Sequence, residues 1–288
     1  MRIGAVVVLY NPDVGQTERS IQSLLSQVDC VYIADNSDTP SFRLKDSKIV
    51  YNPLCHNIGI AAAQNIGIRF FVDNGYDFVL FSDQDSTPQD GLVESLAAAY
   101  MRLKDVIPIS AIGPMPVNRK TGTPYIYKQC IIGKDNICGM DYYMMHSIIS
   151  SYSLVPVKNF NTVGMMDERL FIDFVEQQWC WRAAYYHGMT CILVPGISIT
   201  HELGVSKKFL GRDISVSTPF RMYFQTRNLL WLSKETYTPR YWKRMNIRKL
   251  FPKIIYYSLF SKTRMAYIRR ILKGLADGLT KRLRYEQT

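Results

Sequence analysis

The stretch from Phe78 to Asp85 constrains the fold more than any other part of the chain. Phe78 to Phe81 is a continuous apolar run without helical spacing, which is typical of a strand buried on both faces. Two carboxylates follow at once, Asp83 and Asp85, separated by one residue. Ligands of open α/β sheets bind outside the carboxyl ends of the strands, and residues i and i+2 of an extended chain face the same way. The pattern therefore predicts a strand that ends at a binding crevice, with both carboxylates facing one ligand.

Two hard oxygen donors at such a crevice suit Mg²⁺ or Mn²⁺ shared with a phosphate group. The alternative is an acidic turn in which Asp85 caps a helix that begins near Pro88. An Asp-x-Asp pair by itself does not decide between these two interpretations.

Three further strands are predicted before this one, at Arg2–Leu9, Cys30–Ala34 and Ile49–Asn52, with helices between them. This alternation indicates an α/β fold with a mostly parallel sheet. The turns that begin at Tyr10, Asp35 and Asp83 should then share one edge, where a nucleotide can lie across them. We expect Asp35 at a base or ribose, Asp83 at the ribose and Asp85 at the metal and diphosphate, although Asp35 also suits a simple turn. No GxGxxG or GxxxxGK[ST] motif occurs, so neither a dinucleotide fold nor a P-loop is supported.

The run from Asn57 to Gly67 keeps a helical period, and Asn57 is a plausible N-cap. Asn57 and Asn65 either contact the ligand or only cap and pack. Further along, a helix is predicted at Leu92–Leu103 and a strand at Val106–Ile112, followed by turns at Gly113–Pro116. Residues Ser147–Val155 form another strand or a loop beside the crevice.

Helical spacing resumes after Glu176, which places Asp173 and Glu176 at the start of a helix. The helix dipole favours negative charge there, and this alone accounts for both carboxylates. The functional alternative is that one of them faces the crevice as a general base.

Charge is distributed unevenly along the chain, whose net charge is +11. From Leu203 onward, 20 Lys and Arg face 4 Asp and Glu, whereas residues 1–202 carry 15 against 20. A basic amphipathic helix is predicted in this tail, with Ile268, Ile271, Leu272, Leu275 and Leu279 at helical spacing and Arg269, Arg270, Lys273 and Lys281 largely on other faces. Four aromatic residues can supply interfacial rings: Tyr256, Tyr257, Phe260 and Tyr267. The alternative is an ordinary helix that packs its apolar stripe on the catalytic domain.

Several classes of protein are disfavoured. No apolar run approaches the ~20 residues that span a bilayer, and the six cysteines show no CxxC pair, which argues for reduced thiols in the cytosol. The basic tail with its tyrosines suits nucleic acid in principle, but no RNA- or DNA-binding motif is visible and no nucleic-acid partner is expected.

Taken together, these motifs resemble the family 2 glycosyltransferases of GT-A fold, and within them the bacterial rhamnosyltransferases of O-antigen and polysaccharide assembly. The resemblance covers roughly residues 1–230 and leaves 231–288 as a basic helical region. It rests on the following segments: Val8–Pro12, Asp35–Ser37, the Asn/Gly/Ala run Asn57–Gly67, Phe81–Asp85, Gly164–Arg182, His201–Gly204 and Arg227-Asn228.

The resemblance implies an inverting, metal-dependent transfer of a sugar from a nucleotide-sugar donor, with dTDP-L-rhamnose expected and a UDP-hexose as the alternative. It implies the following roles: Asp85 and His201 as metal ligands, Glu176 as base with Asp173 as its rival, and Tyr10, Asn11, Asp35, Asn57, Asn65, Asp83 and Arg227 on the donor side. Arg227 either meets the diphosphate or pairs with a surface acid. The chain departs from the family pattern at Glu176 and Gln178, where relatives usually carry two acids, and at Ser151-Tyr152, where relatives often read Ser-Gly.

The expected acceptor is a lipid-linked oligosaccharide, and the expected location is the cytoplasm, at the inner face of the cell membrane. The basic tail would attach there to the anionic surface, with each basic residue contributing ~1 kcal/mol. An inactive homologue that serves as an assembly subunit is a further alternative, against which the intact Asp83, Asp85 and Glu176 speak.

Overall fold

The computed structural model describes residues 1–201, 206–209 and 212–280. The chain divides into two compact units. The first, called here the sheet unit, comprises Met1–Glu168 and Val175–Glu202; the second, called the helical unit, comprises Arg169–Phe174 and Leu203–Thr288. The boundary expected at residue 230 lies within the helix Pro219–Lys234.

Strands and helices alternate through the first part of the sheet unit, as expected. Its strands are β1 Ile3–Leu9, β2 Cys30–Asp35, β3 Ile49–Pro53, β4 Phe78–Ser82, β5 Ile109–Asn118, β6 Ile131–Ile137, β7 Met140–Met145, β8 Leu154–Pro156 and β9 Thr190–His201. Its helices are α1 Val14–Leu25, α2 Ile60–Asp73, α3 Leu92–Leu103, α4 Val157–Val163 and α5 Val175–His187.

The nine strands form one sheet in the order β3-β2-β1-β4-β8-β5-β9-β7-β6. Parallel pairing joins β1 to β2 and β4, β2 to β3, and β5 to β9, whereas β8 and β7 run against their neighbours. The sheet is therefore mostly parallel in strand direction and flanked by helices, which confirms the predicted α/β class. Because β1, β2 and β4 run side by side in one direction, the turns that follow them lie at one edge.

Burial explains why the central strands could be located from sequence. All of β2 and β4 is buried, as the continuous apolar run at Phe78 predicted. Helix α2 lies close against β1 at Gly67, where an added Cβ would come within 2.7 Å of Val6. A larger residue at position 67 would push the helix off the sheet.

The turn predicted at Gly113–Pro116 is wrong. These residues continue β5, where Pro114 lies opposite Val194 of β9 and a register shift follows it. Proline has no backbone N–H, so it is tolerated in a strand where no neighbouring strand needs that donor. In the described sheet β8 pairs with β5 only at Ile112, so Pro114 has no strand partner on that side.

The helical unit contains a hairpin and three helices in its described residues: β10 Ser206–Phe209, β11 Arg212–Ser215, α6 Pro219–Lys234, α7 Arg240–Phe260 and α8 Arg264–Thr280. Helices α6 and α8 approach closely because Gly274 and Gly278 face α6; an added Cβ at Gly274 would lie 2.7 Å from the Tyr223 carbonyl oxygen. The small hydrophobic core of the helical unit contains Met222 of α6, together with Tyr257, Tyr267 and Ile271. Across the described residues, no helix combines the length and the apolar composition that crossing a bilayer demands.

Candidate active site

The turns after β1, β2 and β4 are joined by hydrogen bonds. The backbone N–H of Tyr10 donates to Gln84 Oε1 at 2.8 Å, which links the turns after β1 and β4. The N–H of Asn11 donates to Ser37 Oγ, also at 2.8 Å, which links the turns after β1 and β2. Asn11 has a φ of 46°, so this residue turns the chain sharply. The predicted convergence of these segments at one sheet edge is confirmed, and the 48% exposed Tyr10 lies there with an accessible ring.

Asp35 ends β2 and is fully buried. Its Oδ1 accepts a hydrogen bond from the Ser37 N–H at 3.0 Å, and its Oδ2 accepts one from the Tyr51 hydroxyl at 2.8 Å. Burial, together with this carboxylate, raises the pKa of Tyr51 well above its usual value, so Tyr51 remains a donor. The structure thus shows Asp35 as a fixed acceptor in the turn, and its contact with a base or ribose stays a prediction.

Asp83 and Asp85 differ in their surroundings. Asp83 is half-buried, and its Oδ2 accepts a short hydrogen bond from the Ser151 hydroxyl. Asp85 is exposed, its backbone carbonyl accepts from Gln16 Nε2 at 3.0 Å, and its carboxylate has no hydrogen-bond partner within the described part of the chain. Asp85 therefore presents its carboxylate to solvent, while Asp83 is oriented by the protein.

This donor set fits a divalent cation. Mg²⁺ is usually held by one or two carboxylates, with phosphate oxygens and water completing its shell. Among residues 1–201, 206–209 and 212–280, no group of three or more His, Cys, Asp and Glu side chains forms a metal cage. The exposed carboxylate of Asp85 matches the partial coordination by protein groups that such a cation uses beside a diphosphate.

The loop before β8 packs beside the end of β4, so of the two readings left open for Ser147–Val155 only its last two residues are strand. Tyr152 donates its N–H to the Phe81 carbonyl at 2.7 Å, and its hydroxyl donates to the Ser86 carbonyl through a short bond. Burial, reinforced by the charges of Asp83 and Asp85, raises the pKa of Tyr152. Tyr152 has a φ of 56°, a left-handed conformation that favours glycine.

The predicted N-cap role of Asn57 is wrong. Helix α2 begins at Ile60 and its N-cap is Gly59, whose φ of 90° excludes most other residues. Asn57 Oδ1 accepts from the Gly59 N–H at 2.9 Å, which is an Asx turn ahead of the helix. Asn36 ties this turn to the end of β2 by donating from Nδ2 to the Gly59 carbonyl at 3.1 Å.

Asn65 is buried within α2 and holds another segment of the sheet unit. Its Nδ2 donates to the Met166 carbonyl and to Glu168 Oε1, and its Oδ1 accepts from the Met166 N–H, all at 2.9 Å. Both amide hydrogens are therefore used within the protein. Of the two alternatives for Asn65, the structure displays packing, and the contact with the donor stays a prediction.

Side chains of α5 bind the carbonyls just before Met166. Arg182 Nη1 donates to Val163 O at 2.9 Å and its Nη2 to Met165 O at 2.6 Å, while Trp179 Nε1 donates to Gly164 O at 2.7 Å. Arg182 is 1% exposed. The backbone from 163 to 166 is thus fixed by donors at every carbonyl, counting Asn65.

Glu176 is the second residue of α5 and is half-buried. Its place in the first turn, where the helix dipole favours a carboxylate, agrees with the expectation from sequence.

Asp173 belongs to the helical unit, where it forms a salt bridge with Arg221. Arg221 Nε and Nη2 approach the Asp173 carboxylate at 2.7–3.1 Å in a bidentate pair. Its side chain is only 10% exposed, against 50% for Arg221. Because both carboxylate oxygens are engaged, Asp173 is less suited than an unpaired carboxylate to take a proton from a substrate.

Arg227 and its neighbour Asn228 are buried in α6. Arg227 Nη2 donates to the carbonyls of Arg169 and Leu170 at 2.6 and 3.1 Å, and the guanidinium lies 4.1 Å from the centre of the Trp231 ring. These contacts hold the guanidinium against the backbone of residues 169 and 170 and against the Trp231 ring. The donor-side role of Arg227 stays a prediction.

Two expected elements cannot be placed. The side chain of His201 lies outside the described residues, although the backbone of His201 pairs with Asn118 at the end of β9. Glu202, Leu203 and Gly204, and Lys281 in the tail, also lie outside them.

Comparison with known proteins adds an independent line of evidence. The chain is 31% identical over 293 residues to the dTDP-rhamnosyl transferase RfbF of Shigella flexneri, covering 96% of this chain and 95% of that protein. The chain belongs to the bacterial rhamnosyltransferase family of glycosyltransferases. No family model matches the sequence.

The fold of this rhamnosyltransferase family member is also found among solved structures. The crystal structure of GalNAc-T7 with UDP, GalNAc and Mn²⁺ superposes with a TM-score of 0.55 at 13% identity. The match covers 98% of this chain and 55% of that chain, so the rhamnosyltransferase spans about half the length of this neighbour. The GT-A fold inferred from the resemblance is confirmed.

Sequence reasoning missed Trp179 and Arg182 as donors in this rhamnosyltransferase. The family resemblance includes both residues but implies no function for either of them. Their i, i+3 spacing on α5 shows that they share a face, but nothing local indicates which carbonyls that face meets.

Proposed function

We propose that the protein transfers L-rhamnose from dTDP-L-rhamnose to a hydroxyl of a lipid-linked saccharide, with inversion at the anomeric carbon. The proposal rests on the relationship to the Shigella enzyme over nearly the whole length of both chains. The observation that carries it is the gathering of Tyr10, Asp35, Asp83 and Asp85 at one edge, where the ends of β1, β2 and β4 meet.

On the donor side, each residue is given a role that its surroundings support. The exposed ring of Tyr10 stacks against the base, the fixed Asp35 accepts from the base or ribose, and Asp83 faces the ribose. Asn11 and Asn57 shape the turns that line this edge. For Asn65 and Arg227 the observed contacts support holding the backbone in place.

Asp85, with His201 as the second ligand implied by the family, is proposed to bind Mg²⁺ or Mn²⁺. Such an ion, when bound, offsets the charge that develops on the departing nucleoside diphosphate. Asp85 suits this role because its carboxylate is exposed and uncommitted in the described residues.

Glu176 is proposed to accept the proton of the attacking acceptor hydroxyl. A single displacement needs one base and no covalent nucleophile, and general-base assistance typically contributes ~10²–10⁴-fold in rate. Its rival, Asp173, is bound through both carboxylate oxygens by Arg221, which argues against a role for Asp173 in accepting that proton.

The C-terminal helices are proposed to lie on an anionic membrane surface, where a lipid-linked acceptor is found. Along α7, Ile247, Phe251 and Leu259 are 54–68% exposed and recur at multiples of four residues. Exposed Arg244 and Arg248 lie beside them. Exposed apolar residues beside cations are typical of helices that rest in the headgroup region.

Part of the earlier expectation for this region is corrected. Tyr257, Tyr267 and Ile271 are buried in the core of the helical unit, where the two tyrosine rings stack at 4.2 Å, so they are not interfacial. The large exposed hydrophobic residues of α8 are Met265, Leu272 and Leu279, at 58–63%, and the last two belong to the predicted stripe.

Calorimetric titration with dTDP and with UDP, each with and without Mn²⁺, tests the donor assignment. We expect Mn²⁺-dependent binding that prefers dTDP and disappears in Asp85→Ala. Asp90→Ala, which removes an exposed carboxylate five residues away, is the matched control and should bind as the unmodified protein does. A preference for UDP would contradict dTDP-L-rhamnose as the donor. Binding of neither nucleotide would contradict the proposed transfer reaction.

A further inference from the structure

The segment Arg169–Phe174 has an unusual backbone. Three of its residues, none of them glycine, have left-handed φ angles: Phe171 at 66°, Asp173 at 67° and Phe174 at 69°. Side chains with a Cβ rarely adopt this conformation, and it persists only where the surroundings over-determine it. Such strain clusters at sites where geometry matters for function.

Asn228 of α6 holds the backbone of this segment through hydrogen bonds. Its Nδ2 donates to the carbonyls of Leu170, Ile172 and Asp173 at 2.9, 2.8 and 3.3 Å, and Asn228 is fully buried. Its Oδ1 in turn accepts from Arg227 Nε and Nη2 at 3.0 and 2.9 Å, which fixes the orientation of the amide. One amide group therefore serves three carbonyls of a six-residue segment.

The side chains of the segment are held as well. Phe171 stacks on Phe224 with ring centres 4.6 Å apart, and Asp173 is gripped by Arg221. Phe174 packs edge-to-face on Trp242 at 4.9 Å. These contacts leave the segment little freedom to relax its left-handed residues.

Along the chain, this held segment leads directly into the proposed base. Phe174 is followed by Val175, the first residue of α5, and Glu176 is the next. The last residue of the segment is therefore two residues before Glu176 in the chain.

We infer that Asn228, oriented by Arg227, is a positioning residue for the transfer reaction: it fixes the left-handed segment Arg169–Phe174 and through it the starting point of Glu176. This inference rests on the proposed role of Glu176 as base. It also gives the Arg227-Asn228 pair a role that requires no contact with the substrate.

Asn228→Ala and Asn159→Ala form a matched pair for the test. Asn159 is also buried, and its Nδ2 donates to two carbonyls, Ile109 O and Ser110 O, at 3.0 and 2.8 Å within the sheet unit. Both variants should lower the melting temperature. Only Asn228→Ala should lower kcat, by about 100-fold as expected for a misplaced catalytic group, with KM for donor and acceptor within about threefold. The pH dependence of kcat/KM should also shift in that variant alone.

Asn228→Asp keeps the volume and the acceptor for Arg227 but removes the amide donor, so it serves if the alanine variant does not fold. Glu176→Gln is measured in parallel. If Glu176→Gln is inactive while folded Asn228→Ala and Asn228→Asp both keep normal kcat, the positioning role is overturned and the proposed base stands. If Glu176→Gln keeps normal turnover, the base assignment fails first, and the inference fails with it.

Discussion

Asn65 holds the backbone of Met166 from both sides: its Nδ2 donates to the Met166 carbonyl, and its Oδ1 accepts from the Met166 N–H, both at 2.9 Å. A single amide thus replaces the pairing that a neighbouring strand would provide. The residues involved are 101 positions apart, so this bond ties the first part of the sheet unit to the segment that precedes the helical unit's peptide Arg169–Phe174.

Replacing Asn65 with Ala should lower stability without weakening donor binding. Leaving buried polar groups unsatisfied costs about 1–3 kcal/mol, and here the N–H and the carbonyl of Met166 both lose their partner. Chemical denaturation measures the first effect and calorimetry with dTDP and Mn²⁺ the second. A weaker dTDP affinity at unchanged stability would assign Asn65 to the donor site and contradict the packing role.

Glu176→Gln should abolish transfer and leave dTDP affinity unchanged. The amide is nearly isosteric with the carboxylate but does not accept a proton, and general-base assistance accounts for about 10²–10⁴-fold in rate.

The comparison variant is Asp173→Asn, which removes the charge that Arg221 pairs with and should mainly reduce stability. Rates from single-turnover assays, compared with calorimetric affinities, separate the two effects. Normal turnover in Glu176→Gln together with an inactive Asp173→Asn would move the base to Asp173.

We expect Lys253 to make the stability of the helical unit depend on pH. Burial lowers the pKa of this lysine from 10.5 to about 8, with nearby Asp173 acting against that shift and Arg221 and Lys249 adding to it. Its ammonium donates to Ser217 Oγ and Gln225 Oε1, both neutral, at 3.1 and 2.8 Å. Between pH 8 and pH 10.5 the unfolded chain binds more protons at this site than the folded one, so the contribution of Lys253 to stability rises with pH and is lost as the pH falls through 8.

In Lys253→Met this dependence should be absent. The stability of the unmodified protein relative to the variant should therefore increase between pH 7.5 and 9.5, as measured by urea denaturation at both values. The change removes a buried charge whose bonds go to neutral acceptors, so near pH 7 the variant should be about as stable as the parent or more so. A stability difference that does not change with pH would show that Lys253 titrates normally.

Phe251→Ser combined with Leu259→Ser should reduce binding to vesicles that contain phosphatidylglycerol. Each fully inserted side chain contributes about 1.5–3 kcal/mol, so we expect the partition coefficient to fall about tenfold or more. Met101→Ser, which replaces a 51% exposed methionine of α3, is the control and should bind normally. Cosedimentation at low and high salt measures both variants.

Unchanged binding of the double variant would show that α7 does not rest on the membrane. Deleting residues 239–288 is a poorer test, because Tyr257, Tyr267 and Ile271 belong to the core of the helical unit.

The sequence was sufficient for features that are local. Continuous apolar runs followed by polar turns placed β1, β2 and β4, and parallel strand direction then placed Tyr10, Asp35 and Asp83 at one edge. The helix at Leu92–Leu103 was predicted with its observed bounds. The strand predictions succeeded because strands that are buried on both faces consist of nearly continuous apolar runs.

What the sequence did not reveal depends on partners far along the chain. Pro114 suggests a turn from sequence alone, because the sequence does not show that β8 pairs with β5 only at Ile112 in the described sheet. Asn57 is a typical N-cap residue, so the sequence predicts that the helix begins there. In the structure the N-cap is Gly59, two residues later, because glycine can adopt the φ of 90° found at that position. Trp179 and Arg182 entered the sequence analysis only as part of the family resemblance, and the carbonyls that accept their hydrogen bonds are identified only when the backbone from 163 to 165 is folded against them.

The peptide Arg169–Phe174 is separated in sequence from the rest of the unit to which it belongs, since residues 175–202 of the sheet unit lie between it and Leu203. This limits how the family can recombine. In a chimera that exchanges only residues 203–288 between two homologues, α6 comes from one homologue and the peptide Arg169–Phe174 from the other. Asn228 of one protein would then have to bind the backbone carbonyls of the other protein's peptide. The six residues and the helix that holds them have to be inherited together, as a discontinuous module.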